Sequence, residues 1–123
     1  MDAAGEELAD RLRALLVAGP EVDERGMFGT RAFLVDGHIL AGARPGGVLL
    51  IRVAEEDETV LLQRDGASRA TMGSRTMSSR WLDIAPDVIE HDRDLLVWLD
   101  FARGARTDEG RSAVRGRDVR GSG

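Results

Sequence analysis

The sequence predicts a two-layer α+β domain, an antiparallel sheet packed by helices in the order α-β-β-β-α-β-β-α. Three observations carry that expectation. Leu8, Leu12, Leu15 and Leu16 recur at helical spacing near the start. Asp36-Gly37 separates two apolar runs, the strongest short-range signal for a hairpin. Val48-Leu49-Leu50-Ile51-Arg52-Val53 is short, apolar and rich in β-branched residues, which favours a strand over a helix.

Taken in order, the leucine stripe marks a helix from about Ala3 to Ala18. Glu6 and Glu7 suit the positive end of its dipole, and Glu7 and Arg11 are spaced as an i,i+4 pair. Gly19-Pro20 is the expected stop. Ala32–Val35, His38–Ala41 and Val48–Val53 then read as three antiparallel strands in meander order. The first two join at an Asp36-Gly37 turn and the last two at Arg44-Pro45-Gly46-Gly47. The third strand is apolar enough to lie centrally with both faces covered. Glu55-Glu56-Asp57-Glu58 reads as the negatively charged first turn of a short helix through Val60, Leu61 and Leu62, ending near Gly66. It lacks the interspersed turn residues of a hard-cation loop.

Beyond Gly66, Met72, Met77, Trp81, Leu82 and Ile84 suggest two more strands around a Gly73-Ser74 turn. Pro86 breaks the pattern. Asp87 with Glu90 forms a capping-box variant, Asp92 competes with it as N-cap, and Leu95, Trp98, Leu99 and Ala102 mark a final helix. Leu96 and Phe101 widen its apolar face, and Gly104 is its expected end.

The 123 residues are expected to form one α+β domain over residues 1–105, followed by an Arg/Gly-rich flexible tail over 106–123. All 17 basic residues are arginine. Up to Ala105 there are 12 of them against 19 acids, so the body carries −7, whereas the tail has 5 against 3 and carries +2. An acidic body argues against a duplex-binding face, which concentrates positive charge. The Arg-rich tail leaves a nucleic-acid accessory role as the second reading, with phosphates clamped by mobile arginines. No stretch approaches the roughly 18 apolar residues of a membrane span, and a cytoplasmic setting is expected. With no cysteine, disulfides and thiolate metal sites are excluded.

A search for catalytic chemistry finds no constellation. His38 and His91 lie far apart, and Asp36 near His38 completes no paired-ligand spacing. Ser78 and Ser79 have no Gly-x-Ser-x-Gly surroundings, and the glycines form neither a dinucleotide fingerprint nor a Walker loop. No catalytic residue, cofactor or metal is expected. A small-ligand pocket between sheet and helices stands as a third reading.

In order and spacing, Met27-Phe28-Gly29, Phe33, Asp36-Gly37, the Leu49–Val53 run, Met77, Trp81 and Pro86 resemble the TfoX N-terminal domain family, named after a regulator of bacterial competence. The likeness covers about Leu8 to Arg103. It departs at Thr30, where the family usually has a second glycine. It departs again at Ser74-Arg75-Thr76-Met77-Ser78-Ser79-Arg80-Trp81, one residue longer than the relatives' Gly-Arg-Pro-Met-x-Gly-Trp, an excess that a sheet-edge bulge would absorb. The resemblance implies the same element order and a non-enzymatic regulatory or interaction module. In competence regulators this domain accompanies a second, helical domain, which this chain is expected to lack, and acts with transcription machinery. A protein partner is therefore expected, and, because the core is small, a homodimer through a sheet edge or an apolar helix face is expected to add burial. The expected interaction surface comprises Met27, Phe28, Gly29, Asp36, Gly37, Ser78, Arg80 and Trp81, although core packing is the commoner role of residues such as Phe28 and Trp81.

Overall fold

A helix start leaves four backbone N–H groups without intrahelical partners, and Asp2, through its side chain, supplies an acceptor for one of them. Its Oδ1 accepts the N–H of Gly5 at 2.9 Å and its carbonyl accepts that of Glu6 at 3.0 Å. The computed structural model describes residues 2–16, 21–27, 29–78 and 80–105. Helix α1 runs over Ala3–Leu16, and Leu8, Ala9, Leu12 and Leu16 are buried on one side of it. The expected stop at Gly19-Pro20 lies outside the described residues. Arg11 does not pair with Glu7. Its guanidinium reaches Asp92 at 3.0 Å and the carbonyl of Ile89 at 2.7 Å, tying α1 to the entry of the last helix.

Four strands follow where three were expected: β1 (Val22–Met27), β2 (Thr30–Val35), β3 (His38–Arg44) and β4 (Val48–Arg52), each antiparallel to the next. β1, with the sequence Val-Asp-Glu-Arg-Gly-Met, is an edge strand with no buried residue. It therefore lacks the polar–apolar alternation that betrays a half-buried strand. Asp36 and Gly37 have φ of 53° and 80°, as a type I′ turn requires. The Asp2 carboxylate also accepts the N–H of Gly46 at 2.8 Å, so the start of α1 is pinned to the β3–β4 turn.

After β4 come a 3₁₀ turn (Glu55–Asp57) and the one-turn helix α2 (Glu58–Leu61), with Leu61 buried and Val60 exposed. The hairpin around Gly73-Ser74 is present but interrupted. Its outer part is the two-residue ribbon of β6 (Thr71–Met72) and β7 (Arg75–Thr76), and its inner part pairs β5 (Ala67–Arg69) with β8 (Trp81–Ile84). Ala70 spans the break, donating its N–H to the Trp81 carbonyl at 2.9 Å and accepting that of Met77 at 2.8 Å. The chain thus leaves the ladder between Met77 and Trp81. This excursion is not at a sheet edge: the strand order is β1-β2-β3-β4-β8-β5, so β8 is paired on both sides. β4 is central, as expected, with Leu49, Leu50 and Ile51 all buried.

The final helix, α3, covers residues 92–105, and Leu95, Trp98, Leu99, Ala102 and Ala105 line its buried side. It begins differently from the expectation. The carbonyl of His91 accepts the N–H groups of Asp94 and Leu95, which puts His91 at the cap position. Asp87 belongs to a preceding 3₁₀ turn (Pro86–Val88), and Asp92 lies in the first helical turn, where its charge suits the dipole. Gly104 is helical rather than a stop. The tail over 106–123 lies outside the described residues.

Register then separates two faces. Phe33, Ala41, Ile51 and Leu82 are successive partners across four strands, and Ala43, Leu49, Ile84 and Ala67 form the adjoining row. These rows pack with residues of all three helices, including Leu12, Leu61, Leu95 and Leu99, in one core cluster. The helices therefore share one face and the domain has two layers. On the other face Ala32, Gly42, Leu50, Asp83 and Ser68 are aligned. Gly42 keeps this row flat, because a Cβ there would lie 2.7 Å from Thr30 Cγ2. Arg44 reaches across β4 to Asp83, with Nη1 at 2.8 and 3.0 Å from the two carboxylate oxygens, and its Nη2 donates to the Thr71 carbonyl at 2.6 Å. It thereby closes over the sheet where no helix does.

Two expectations follow for stability. Leu12 is fully buried and Val60 is 67% exposed. Leu12→Ala should cost about 2–5 kcal/mol, whereas Val60→Ala should stay within about 0.5 kcal/mol, measured by denaturant unfolding. Hydrogen bonds from Gly46 and then Gly5 hold the Asp2 carboxyl below the usual carboxylate range. A depressed native pKa stabilises the fold above the unfolded value of about 3.9 and stops doing so as pH falls through the native one. The melting-temperature gap between wild type and Asp2→Ala should accordingly be widest at neutral pH and narrow on acidification below about pH 4.

Candidate functional site

The topology sends the expected surface residues to opposite ends of the sheet. Met27 closes β1 and Gly29, at φ 76°, turns the chain into β2, at the end that carries Arg44 and Val48. Asp36 and Gly37 turn β2 into β3 at the other end, near Trp81, which opposes Arg52 in the β4–β8 ladder. Ser78 and Arg80 precede Trp81 there. A strand of five or six residues spans roughly 17–20 Å, so Met27 and Gly29 do not share a patch with the Trp81 group. Phe28 and Ser79 lie outside the described residues.

The Trp81 end holds a groove of about 180 Å³. Its walls are the β2–β3 turn (Gly37 to Ile39), the Arg52–Trp81 pair, and Ala102 and Ala105 from the end of α3. Alternation along β8 sends Leu82 and Ile84 into the helix-side core and Trp81 to the opposite face with Asp83. Trp81 is half-buried and is not part of the core cluster, so this tryptophan is not a core residue in the expected sense. Burial, and then the neighbouring Arg80 guanidinium, push Arg52 below the usual arginine range. Two guanidinium groups therefore crowd one end of an otherwise acidic body.

Arg80 is the conformational outlier of the site. Its φ of 80° lies in the left-handed region, which costs a non-glycine residue roughly 1–2 kcal/mol. Three bonds hold it there. The Arg80 N–H donates to Glu58 Oε2 at 2.6 Å, its Nε donates to the Val53 carbonyl at 3.0 Å, and its own carbonyl accepts the Val53 N–H at 2.8 Å. Glu58 Oε2 also accepts Arg69 Nη1 at 2.7 Å, and its side chain is only 12% exposed. The acidic run is thus not wholly a solvated face. Its last member anchors the strained residue that immediately precedes Trp81. No spacing rule links Glu58 to Arg80, 22 positions away, because only the pairing of β4 with β8 brings them together.

Chemically, the end offers a half-buried tryptophan in a groove with Arg52, and Arg80 close to Arg52. His38 is exposed beside it, and His91 is exposed at the start of α3. Among the described residues, no three carboxylate or imidazole groups converge on a metal-sized site, and no buried side-chain polar atom lacks a partner. Among the same residues, no helix is long and apolar enough to cross a membrane.

The family model for the TfoX N-terminal domain matches residues 14–105. No significant match to the chain is found among curated proteins or among solved structures. The matched span takes in the eight strands of the described residues and α3, including Glu58, Arg80 and Trp81. It covers well over half of the sequence, and the chain belongs to the TfoX N-terminal domain family.

Proposed function

We propose that this chain is a non-enzymatic interaction domain of a regulatory kind, akin to the N-terminal domain of the competence regulator TfoX. It acts in the cytoplasm by docking a protein partner at the Trp81 end of its sheet. The observation that carries this reading is Arg80, held in a left-handed conformation by Glu58 and Val53 and followed at once by a half-buried tryptophan opposite Arg52. Strained backbone persists only where its surroundings over-determine it, and it concentrates at working surfaces. Tryptophan and arginine are the residue types that dominate binding energy in protein interfaces.

Charge narrows the class of partner. The residues up to Ala105 carry −7, so an acidic partner segment is repelled by most of the domain. A peptide segment without net negative charge, carrying an apolar side chain that fits against Trp81, meets that condition.

Cross-linking in the native host, from a photoreactive residue placed at Ile39 beside the groove, identifies the partner. Trp81→Ala should then weaken its binding by about 30-fold while the fold melts within a few degrees of wild type. Arg80→Gly relieves the positive φ, so it should retain stability yet lose binding with the guanidinium. Unchanged binding in both variants would show that the partner docks elsewhere. Turnover of a small substrate, abolished by one substitution in the domain, would refute the non-enzymatic assignment.

A further inference from the structure

The outer side of β1 ends the six-stranded sheet, and no strand pairs with it among the described residues. An open edge is a template for another strand, and proteins usually blunt such edges by shortness, charged side chains, proline or a bulge. The opposite edge follows that rule, since β5 has three residues. β1 has charged side chains but none of the other devices. It is six residues long, contains no proline, and pairs with β2 in unbroken register from Val22↔Val35 to Met27↔Thr30.

The turns fix which backbone groups of β1 point outward. Met27 and Thr30 close a two-residue connection, so Met27, Arg25 and Asp23 exchange hydrogen bonds with β2. The next turn agrees. Val35 and His38 close the Asp36-Gly37 turn, which commits Val35 to β3 and, by alternation, Leu34, Ala32 and Thr30 to β1. Val22, Glu24 and Gly26 therefore present their N–H and C=O groups to the outside.

A second copy can add to this edge antiparallel about a two-fold axis normal to the sheet. Each face then stays on its own side, so opposed positions must have the same parity, and the outward residues must form the hydrogen-bonded pairs. Side-chain charge selects among the registers that remain. With Glu24 opposite Glu24 of the second copy, Val22 faces Gly26, and Asp23 faces Arg25 twice, once on each side of the axis. Sliding by one step either way sets Asp23 against Asp23 or Arg25 against Arg25, like charges in the closer, non-hydrogen-bonded positions. Asp23 and Arg25 make no side-chain hydrogen bond or ion pair within the described residues, so both charges are available. Glu24 is engaged. Arg13 holds it at 2.8 Å and Arg31 at 3.4 Å on the helix side, which screens the two central carboxylates from each other.

We infer that β1 is a self-association edge, along which two copies pair antiparallel with Glu24 on the symmetry axis and reciprocal Asp23–Arg25 contacts. This names a second copy of the chain as one partner of the interaction domain proposed above and rests on that reading. The Trp81 end lies in β8, remote from β1 in the strand order, and stays accessible in the pair.

Sedimentation of the full chain over a range of concentrations should show a reversible monomer–dimer equilibrium. Asp23→Arg and Arg25→Asp should each weaken it by about tenfold, since each replaces two attractive contacts by repulsive ones. The combined D23R/R25D variant should restore it to near the wild-type value. The natural sequence has no cysteine, so Glu24→Cys should form a disulfide-linked dimer under mild oxidation faster than Asp23→Cys. Hydrogen-bonded antiparallel partners lie about 5.5 Å apart at Cα, within disulfide reach. A monomer at every concentration would overturn the inference. So would single reversals without effect, failure of the double variant to recover, or faster linkage at position 23. None of these outcomes bears on Trp81-dependent partner binding, which fails or survives separately.

Discussion

The structure depends on one sheet face being buried by helices while the other is left to its own side chains. Phe33, Ala41, Ile51 and Leu82 stand in a row on the helix side, and the same register places Ala32, Gly42, Leu50 and Asp83 on the other. A slip of one residue would exchange these sets, exposing the core row and driving Asp83 beneath the helices. The type I′ turn at Asp36-Gly37 and the Asp2–Gly46 contact hold the strands and α1 to that register. Every other feature is positioned by it.

Without a second helical layer, the open face needs its own cover. Arg44 provides part of it by spanning β4 to meet Asp83 in a pair of which each side chain is about one-fifth exposed. Two charges withdrawn this far from water are held by geometry as much as by attraction, since Arg44 also donates to Thr71. At the end of the sheet, Glu58 of α2 and Val53 perform the corresponding task for Arg80. The two arrangements differ in consequence. The Arg44 cluster is closed on itself, whereas the Arg80 cluster ends in a half-buried tryptophan at the mouth of a groove.

Much of this was legible in the residues. Leucine spacing marks α1, the Asp-Gly dipeptide marks the first turn, and the uniformly apolar run from Val48 marks the central strand. The TfoX-type pattern of Met27, Phe33, Asp36-Gly37 and Trp81 marks the family. β1 escaped because an edge strand with no fully buried residue needs no apolar alternation. The cap of α3 escaped because the carboxylate of Asp92 is drawn away by Arg11, a partner 81 positions distant. Glu58 escaped for the same reason, since its task depends on a neighbour from another strand.

The sequence by itself therefore determined the α+β class, the order of the elements apart from β1, the sheet's central strand and the family, because these rest on periodicity and turn chemistry within a few residues. Only the tertiary structure decided that Met27 and Gly29 lie at the opposite end from Trp81, that Glu58 holds Arg80, and that β1 leaves a six-residue edge open. Those outcomes come from pairing between distant segments. Pairing is set by burying one face of the whole sheet at once, and no local window of residues contains that condition.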